Sequence, residues 1–336
     1  MGGDNAPEVV IEGIVLARDK LPQVDYLLYG NEQILKPLLD KHGTARKVCE
    51  IRHTDDVVSN DEKPGIALRS GRNSSMRLAI NAVGQGEAAG VVSAGNTGAL
   101  MAMAKFVLKT LPGIDRPAIA SFFPTMRGES LMLDLGANVV CNSDNLVQFA
   151  VMGEVFARNV FHIKQPSIGI LNIGSEELKG HDSVKQTFNI LQNIDLPIRF
   201  HGFVEGDDIA KGTVDVIVTD GFTGNIALKT AEGTARMFGS FLKDALHSTP
   251  ISMAGGLLAK PALNKLRMRL DPSRYNGAMF LGLNGICVKS HGGTDALGFS
   301  NALGVAAELV NDGLNDVIKE DLSHLDTEEP GANKTS

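Results

Sequence analysis

The sequence predicts an α/β protein whose mostly parallel sheet is covered by helices on both faces. Short apolar runs alternate along the chain with helical patterns, which is typical of parallel strands joined by helices. Two of these runs, 168–173 and 215–219, are apolar almost throughout, as strands buried on both faces are. The 37 glycines cluster after such runs, so they mark tight turns where strands end.

The individual elements follow from this alternation in chain order. Strands are predicted at 25–29, 48–53, 90–93, 118–123, 130–134, 168–173, 215–219 and 280–288. Helices are predicted at 7–19, 31–42, 97–110, 143–160, 181–193, 223–246 and 294–312. Because aromatic residues make up 5% of the chain and tryptophan is absent, the core between these elements has to be mainly aliphatic.

A length of 336 residues favours two domains or one large one. We expect a division near 140–160, with a first α/β domain at 1–145 and a second α/β portion at 146–289. The helix within 290–318 is expected to pack back on the first domain. Residues 319–336 are polar and include proline and glycine, so they predict a disordered tail.

Charge and cysteine usage narrow the class of protein. A net charge of −7 argues against nucleic-acid binding, which needs a basic surface. The three cysteines, Cys49, Cys141 and Cys287, lie in apolar surroundings without CxxC spacing, which suits a reducing cytoplasm better than a disulfide framework. The chain shows neither a secretory signal nor an uninterrupted apolar stretch of about 20 residues that would span a bilayer.

Glycine-rich turns are the features that suggest chemistry. In open α/β sheets, ligands bind beyond the carboxyl ends of strands, where helix N-termini present unpaired N–H groups. Five turns are predicted at such positions, at 93–98, 134–138, 172–180, 219–225 and 289–293, and the N-terminal residues 2–5 form a sixth candidate. Any single turn is better explained by the positive φ angles that Gly and Asn adopt, but five on one kind of connection indicate an anion site.

Several sharper motifs are absent from the sequence. It has no GxxxxGK[ST], no GxGxxG after a strand, no HExxH and no GxSxG, so a P-loop, a dinucleotide site, a zinc protease site and a nucleophile elbow are not indicated. Amides, hydroxyls and a few cations remain. Lys179 and Lys289 are candidate anion partners, and His291 is the candidate titrating group; structural roles for Lys179 and His291 are about equally plausible. Asp134 and Asp220 end strands and are more readily explained as helix caps.

Seven segments, taken in order, resemble the phosphate acyltransferase (PlsX) family over about residues 1–312. They are MGGDNAPE (1–8), SAGNTGALMA (93–102), LDLGAN (133–138), LNIGSEELKG (171–180), VEGDDI (204–209), VTDGFTGNIALKTAEG (218–233) and GLNGICVKSHGG (282–293). The resemblance implies an enzyme that moves a fatty acyl group from acyl carrier protein to inorganic phosphate and so supplies acyl phosphate for phospholipid synthesis. It also implies a fold like isocitrate and isopropylmalate dehydrogenases, a homodimer, and no metal or other cofactor.

The sequence departs from the family pattern at three places. Relatives usually have a short strand before the segment that begins here at Met1. Many relatives carry a basic or amide residue at the position of Asp207, and a small polar residue at that of Gly293. For the first departure, either the start of the sequence is misplaced or the chain is shortened, in which case an edge or central strand would be lost. The second puts any substrate role of Asp207 in doubt.

A mechanism follows as a hypothesis. Phosphate would be the nucleophile, held by N–H groups of the turns at 95–98 and 136–138. Asn225 would stabilise the oxyanion that forms on the thioester carbonyl, and Lys179 and His291 would balance the charge of phosphate or manage its proton. The residues predicted to bind phosphate or thioester are Asp4, Asn5, Ser93, Gly95, Asn96, Thr97, Gly98, Gly136, Asn138, Asp220, Thr223 and Lys289.

The segment 250–274 is basic and amphipathic although the chain as a whole is acidic. Lys260, Lys265, Arg267 and Arg269 are predicted to contact the acidic carrier protein or a membrane surface. A solvated helix packed on the core is the alternative. A cytoplasmic enzyme, peripheral at the inner face of the membrane, could then pass its product to a glycerol-3-phosphate acyltransferase there.

Three competing interpretations remain open. A phosphotransacetylase-like enzyme would use an acyl-coenzyme A thioester and needs a similar site. A decarboxylating dehydrogenase of the same fold is disfavoured because the sequence has no cluster of aspartates to bind a metal. A non-catalytic regulator or membrane-interaction module would leave the polar turns without a purpose.

Overall fold

The computed structural model describes residues 1–194, 198–270 and 276–325, without the side chains of 267–270 and 322–325. The strands are β1 (Tyr26–Gly30), β2 (Cys49–His53), β3 (Gly90–Ser93), β4 (Ala118–Thr125), β5 (Gly128–Leu133), β6 (Ser167–Leu171), β7 (Arg199–Val204), β8 (Val216–Val218), β9 (Ala278–Leu281) and β10 (Ile286–Lys289). The helices are α1 (Glu8–Arg18), α2 (Glu32–Lys41), α3 (Gly43–Arg46), α4 (Pro64–Ser70), α5 (Ser75–Gly84), α6 (Thr97–Leu108), α7 (Ser143–Val160), α8 (Asp182–Asn193), α9 (Gly206–Lys211), α10 (Gly221–His247), α11 (Pro250–Leu270), α12 (Ala296–Asn311) and α13 (Leu314–Leu325).

Eight strands form one sheet in the order β3-β10-β9-β4-β5-β8-β6-β7. The pairs β3-β10, β5-β8, β8-β6 and β6-β7 are parallel, whereas β10-β9, β9-β4 and β4-β5 are antiparallel. The prediction of an α/β fold with a mostly parallel sheet is therefore confirmed. The antiparallel pairs reverse the direction of the sheet, so β3 and β10 run opposite to β5, β8, β6 and β7.

This reversal changes where the predicted turns lie. The turns that follow β3 and β10 leave one edge of the sheet, and those that follow β5, β8 and β6 leave the opposite edge. The strands are staggered, however. Ala120 of β4 pairs with both Leu133 of β5 and Met279 of β9, and Met279 pairs with Val288 of β10. The carboxyl ends of β10 and β5 consequently meet at nearly the same level, three strand spacings or about 14 Å apart.

The core on one face of the sheet is built around α7. Asn142 caps this helix through a reciprocal pair of hydrogen bonds with Asn145, which satisfies two of its unpaired terminal groups. Phe149 and Phe156 are fully buried, and their cluster reaches from β5 and β8 to α12 and α13. Its aliphatic character agrees with the composition.

A second, two-stranded parallel sheet joins β1 to β2. A cavity of about 100 Å³ separates β1 from β3, the edge strand of the large sheet. Leu28, Val58, Met76 and Val91 are among the side chains that line it, and Met1 lies against it. The N-terminal residues thus begin at the seam between the two sheets.

Most predicted elements agree with the structure to within a few residues, but helices α3, α4, α5 and α9 were not predicted, and three further corrections apply. The predicted strand at 280–288 is two strands, β9 and β10, because a turn at 282–285 interrupts it. The edge strand β7 was missed. Helix α13 extends through 319–325, which the sequence assigned to a disordered tail; residues 326–336 lie outside the described residues. The division of the chain into domains remains a prediction.

Candidate active site

Three of the predicted turns come together at the end of β3 and β10. The backbone N–H of Asp4 donates to the carbonyl of Gly292 at 2.9 Å. Gly2 packs so closely on the next turn that a Cβ at this position would lie 2.8 Å from Cα of Gly95. Residues 2–5, 93–98 and 289–293 therefore form one unit, which we call the amino-terminal cluster.

Lys289 lies buried at the centre of the amino-terminal cluster. Its Nζ donates to the carbonyl of Ala94 at 3.2 Å and to that of Ser290. Burial lowers the pKa of Lys289 to about 8, although the nearby carboxylate of Asp4 opposes this effect. The ammonium is thus charged at neutral pH and readily loses its proton in mildly alkaline solution.

Asp4 and Asn5 hold the loop to its neighbours. Asn60 donates to the Asp4 carboxylate at 3.0 Å, and the Asn5 amide donates to the carbonyl of Thr294 at 3.3 Å. A carboxylate repels phosphate, so Asp4 is better explained as a loop anchor that supports the charge of Lys289 than as the predicted phosphate ligand.

His291 presents a defined hydrogen-bonding edge. Its backbone N–H donates to Asn276 Oδ1 at 2.8 Å, and its ring Nδ1 accepts the N–H of Gly293 at 3.1 Å. Burial lowers the pKa of His291, and the charges of Lys229 and Lys289 lower it further. The ring is therefore neutral at pH 7 with its proton on Nε2, so that it can donate a hydrogen bond; the predicted role of His291 in managing the proton of phosphate stays a prediction.

The N-terminus of α6 lies within the same cluster. Asn96 caps the helix by accepting the N–H of Ala99 at 3.0 Å, and its amide donates to the carbonyls of Ser59, Asn60 and Glu62. These bonds show that Asn96 shapes the turn, and its predicted contact with substrate stays a prediction.

The first-turn amides of α6 differ in how they are used. The Gly95 N–H, just before the helix, donates to the Ser93 hydroxyl at 3.2 Å, so these two residues are engaged with each other. The amides of Thr97 and Gly98 stand at the first two helical positions, where no preceding helical carbonyl is available. Thr97 is exposed, so this turn can offer N–H groups to an anion.

The turn after β5 is organised around the fully buried carboxylate of Asp134. One carboxylate oxygen accepts the N–H groups of Ile119 (2.9 Å), Gly136 (3.2 Å) and Ala137 (3.0 Å). The other accepts the backbone N–H and the side-chain amide of Asn138 at 2.7 and 2.9 Å. Burial raises the pKa of Asp134 and these hydrogen bonds oppose the rise. The N–H groups of 136–138 are therefore already bonded, which contradicts their predicted use for phosphate.

The start of α10 is also satisfied from within the chain. Asp220 caps it by accepting the backbone N–H of Thr223 at 2.9 Å and the Thr223 hydroxyl at 2.8 Å, which confirms the cap interpretation. Gly221 donates to the carbonyl of Asn138 at 2.7 Å, and this bond ties α10 to the Asp134 turn. Asp220, Thr223 and Asn138 thus build the turn, and their predicted contacts with substrate stay predictions.

Asn225 and Lys229 connect the two halves of the site. Asn225 is exposed beside the Asp134 turn, where a Cβ on Gly136 would lie 3.7 Å from its Cγ. Lys229 follows one helical turn later, about 6 Å along α10, and pairs with Glu232 at 3.0 Å. The charge of Lys229 reaches both His291 and Lys289 of the amino-terminal cluster. Helix α10 therefore spans the gap between the two strand ends.

Lys179 lies far from the amino-terminal cluster, on the loop after β6, which is two strand positions from β5. Its ammonium pairs with Glu176 at 2.7 Å on an exposed loop. The loop follows β6, which is five strand positions from β10, or about 24 Å. A catalytic role for Lys179 remains a prediction.

The cysteines are unsuited to nucleophilic catalysis. Cys49, Cys141 and Cys287 are all buried and unpaired. Burial raises the pKa of Cys141 to about 11, and the carboxylates of Asp134 and Asp220 raise it too. Because the thiolate is the reactive form, Cys141 is inert at neutral pH despite its position near the site. Within the described residues, no group of three or more His, Cys, Asp or Glu side chains could hold a metal ion.

Helices α10 and α11 form a hairpin whose large apolar side chains are exposed, Met237, Phe238, Phe241, Ile251, Leu257 and Leu258 among them. Lys260 and Lys265 are exposed on α11, as predicted for a basic surface. The side chains of Arg267 and Arg269 lie outside the described residues. Across the described parts of the chain, no helix is both long and apolar enough to cross a bilayer.

A family model described as "Fatty acid synthesis protein" matches residues 1–317. Among curated proteins, a phosphate acyltransferase of Rhodospirillum centenum is 64% identical over 97% of this chain and 92% of its own length. A phosphate acyltransferase of Paramagnetospirillum magneticum is 61% identical over 97% of this chain and 93% of its own. The chain belongs to the phosphate acyltransferase family. It is an acyltransferase.

Solved structures place this acyltransferase fold beside that of phosphotransacetylases. A phosphotransacetylase from Streptococcus pyogenes superposes with a TM-score of 0.62 and 18% identity, covering 91% of this chain and 93% of its own. The EutD phosphotransacetylase of Staphylococcus aureus gives a TM-score of 0.54 at 14% identity, covering 91% and 100%. At such identities the likeness concerns the fold alone.

Sequence reasoning missed several residues of the acyltransferase site. Lys229 lies within the segment 218–233 and is four residues after Asn225, a spacing that puts both on one side of a helix. Asn60 and Asn276 are far in sequence from the residues they hold, Asp4 and His291. Nothing in the sequence pattern predicts those two contacts.

Proposed function

We propose that this acyltransferase moves the acyl group of a carrier-protein thioester to inorganic phosphate. An oxygen of hydrogen phosphate attacks the thioester carbon, the C–S bond breaks, and the proton of hydrogen phosphate ends on the released thiol. The observation that carries the proposal is that hydrogen-bond donors lie on both sides of α10. The backbone amides of Thr97 and Gly98 form an anion site on one side, and the exposed side-chain amide of Asn225 lies on the other.

Phosphate is proposed to bind at the N-terminus of α6. The amides of Thr97 and Gly98 point out of the first turn, and the helix dipole favours an anion there. The ammonium of Lys289 lies directly beneath this turn, and the Nε2–H of His291 borders it. Together they supply donors and positive charge without a strong acceptor, so they can position phosphate while one of its oxygens stays free to attack.

The thioester carbonyl is proposed to lie against Asn225. Its amide is exposed beside Gly136, whose φ of +126° keeps this position free of a side chain. An amide N–H that meets the developing oxyanion is typically worth about 3 kcal/mol of transition-state stabilisation. Lys229, one turn further along α10, would compensate the charge shared between phosphate and carbonyl.

The reaction is tested by measuring phosphate-dependent release of free thiol with acyl phosphate as the second product. A long-chain acyl carrier protein and acetyl-coenzyme A are supplied side by side at equal concentration. The proposal expects release that requires phosphate and is faster with the carrier-protein donor. Faster turnover of acetyl-coenzyme A would favour the phosphotransacetylase-like alternative, and release without phosphate would contradict both.

The α10-α11 hairpin is proposed as the contact surface for partners. Exposed Lys260 and Lys265 complement the acidic carrier protein, and Leu257 and Leu258 nearby suit a transient contact with the inner face of the membrane, where a glycerol-3-phosphate acyltransferase would take up the acyl phosphate. The apolar face of α10 at Met237 suits the homodimer that family membership leads us to expect.

The double variant Lys260→Glu, Lys265→Glu tests the docking of the carrier protein. It should raise the KM for the carrier-protein donor several-fold while leaving the KM for phosphate unchanged. A KM for the donor equal to that of wild type would remove the docking proposal.

A further inference from the structure

A group of exposed apolar side chains surrounds the polar residues at the ends of β5, β8 and β6. We call it the apolar rim; its members are Val139, Ile173, Leu178, Phe222 and Ile226. Their exposed fractions run from 49% at Ile226 to 92% at Leu178. Adjacent exposed apolar residues of this kind mark binding surfaces more often than chance placement.

The loops that carry the rim residues leave three neighbouring strands. Leu133 of β5 pairs with Val218 of β8, and Val218 pairs with Ile170 of β6, so the three strands end at one level. Their loops therefore start within about 10 Å of one another. Phe222 and Ile226 are four residues apart on α10 and share one face of that helix.

The rim also borders the proposed carbonyl position. Val139 follows Asn138, whose carbonyl accepts the N–H of Gly221 at 2.7 Å, and Phe222 follows Gly221. Ile226 follows Asn225. Apolar side chains thus begin one residue away from the groups that would meet the reacting carbonyl.

We propose that the apolar rim receives the hydrocarbon chain of the acyl donor and sets its preference for long chains. This inference rests on the proposed acyl transfer. It places the chain on the β6 side of Asn225 and phosphate on the β10 side, so the two reactants approach the carbonyl from opposite directions. The hairpin apolar residues are a separate surface, since Met237 lies eleven residues beyond Ile226, or about 16 Å along α10.

The test compares acyl donors of 2, 8, 12 and 16 carbons in wild type, Phe222→Ser and Ile226→Ser. Burying one methylene is worth about a fourfold gain in affinity, so wild-type kcat/KM should rise with chain length. The rim variants should lose tenfold or more with the longest donor and stay within twofold with acetyl. Ile34→Ser on α2, an apolar site with an exposed fraction of 46% against 49% at Ile226, is the matched control and should behave as wild type.

Ile173→Ser changes a rim residue in the surface loop after β6, outside any helix. Because it should not disturb the folding of α10, it separates loss of chain binding from a folding defect. Equal losses at all chain lengths, or no loss in any rim variant, would overturn the proposal. So would a rim variant that changes the molecular mass in sedimentation, because the rim would then be a contact between two copies of the chain. If wild type forms no acyl phosphate from any donor, the proposed reaction itself is wrong; if it does while the chain-length dependence is unaltered in the variants, the rim assignment alone is wrong.

Discussion

Two turns of this protein share one sequence pattern and use their backbone N–H groups in different ways. The turn at 93–98 and the turn at 134–138 each follow a strand and each combine glycine with asparagine. In the second, the buried carboxylate of Asp134 takes the N–H groups of 136–138. In the first, Asn96 uses its side chain to hold a neighbouring loop, and the amides of Thr97 and Gly98 stay available. An internal anion thus distinguishes the turn at 134–138, a scaffold, from the turn at 93–98, which we propose as a binding site.

The largest expected effect comes from removing the internal anion. Asp134→Ala leaves five donor bonds from Ile119, Gly136, Ala137 and Asn138 without an acceptor in a buried site, and each unsatisfied donor costs about 1–3 kcal/mol. We expect the free energy of unfolding to fall by about 3 kcal/mol or more in urea titrations. Asp220→Ala, which removes only the cap of α10, should cost about 1 kcal/mol. Equal losses in the two variants would contradict the central role of Asp134.

Substitution of Asn225, which lies beside the turn at 134–138, tests the proposed stabilisation of the oxyanion. Asn225→Ala should lower kcat about a hundredfold, since one oxyanion donor is worth about 3 kcal/mol, with little change in the KM for phosphate. Asn189→Ala, an exposed asparagine on α8, is the control and should keep wild-type kcat. A raised KM with unchanged kcat would mean that Asn225 binds a substrate and does not stabilise the transition state.

Proline substitution separates the two uses of backbone N–H groups. Thr97 is the first residue of α6 and follows an extended Asn96 with ψ of 118°, so proline fits there without distorting the helix. Thr97→Pro should raise the KM for phosphate about tenfold with the unfolding midpoint unchanged, whereas Thr97→Ala, which keeps the amide, should bind phosphate as wild type. Identical KM values in both variants would show that this amide does not meet phosphate.

Binding of phosphate at the turn at 93–98 should also depend on pH through the charge of Lys289. Its pKa of about 8 means that raising the pH through this value removes the positive charge beneath α6. The KM for phosphate should therefore increase several-fold between pH 7 and 9, a range in which His291 is already neutral. In Lys289→Met the KM should be high throughout and nearly independent of pH. A pH dependence retained in this variant would assign the titration to another group.

The smallest effect on kcat is expected for the Cys141 thiol, which lies next to the turn at 134–138. Cys141 is buried and its pKa is raised to about 11, so no thiolate forms at neutral pH. Cys141→Ser should keep kcat within twofold of wild type in the thiol-release assay with acyl carrier protein. A loss of a hundredfold or more would instead indicate a covalent acyl-enzyme.

Much of the fold could be predicted from the sequence because local patterns determine it. The helix of α7 was predicted with the bounds that the structure shows, since its caps and apolar period are both local. The strand β7 was missed because it lies at the edge of the sheet, where Arg199 and His201 are exposed. These polar residues interrupt the apolar run by which the other strands were recognised. The antiparallel course of β9 depends on pairing with β4, far away in the sequence, so the opposite edges of the sheet could not be foreseen.

The residues of the candidate site were easier to predict from the sequence than their hydrogen-bonding arrangement. Lys289, His291 and the turns at 2–5 and 93–98 do lie together, as glycine-rich loops at strand ends would suggest. Whether an N–H group is already bonded depends on distances that the pattern of residues does not contain. For that reason Asp134 could be identified as a turn or cap residue, yet the loss of the amides at 136–138 to it could not.

The staggered sheet has a mechanical consequence. Backbone hydrogen bonds run without a break from β10 through β9 and β4 to β5, so the floor between the phosphate side and the carbonyl side is one stiff layer. Two substrates held over such a floor cannot be brought together by a hinge beneath them. The strand ends beneath them are about 14 Å apart, so the approach of phosphate to the carbonyl depends on the substrates and side chains above this layer, along α10 and the loops around it.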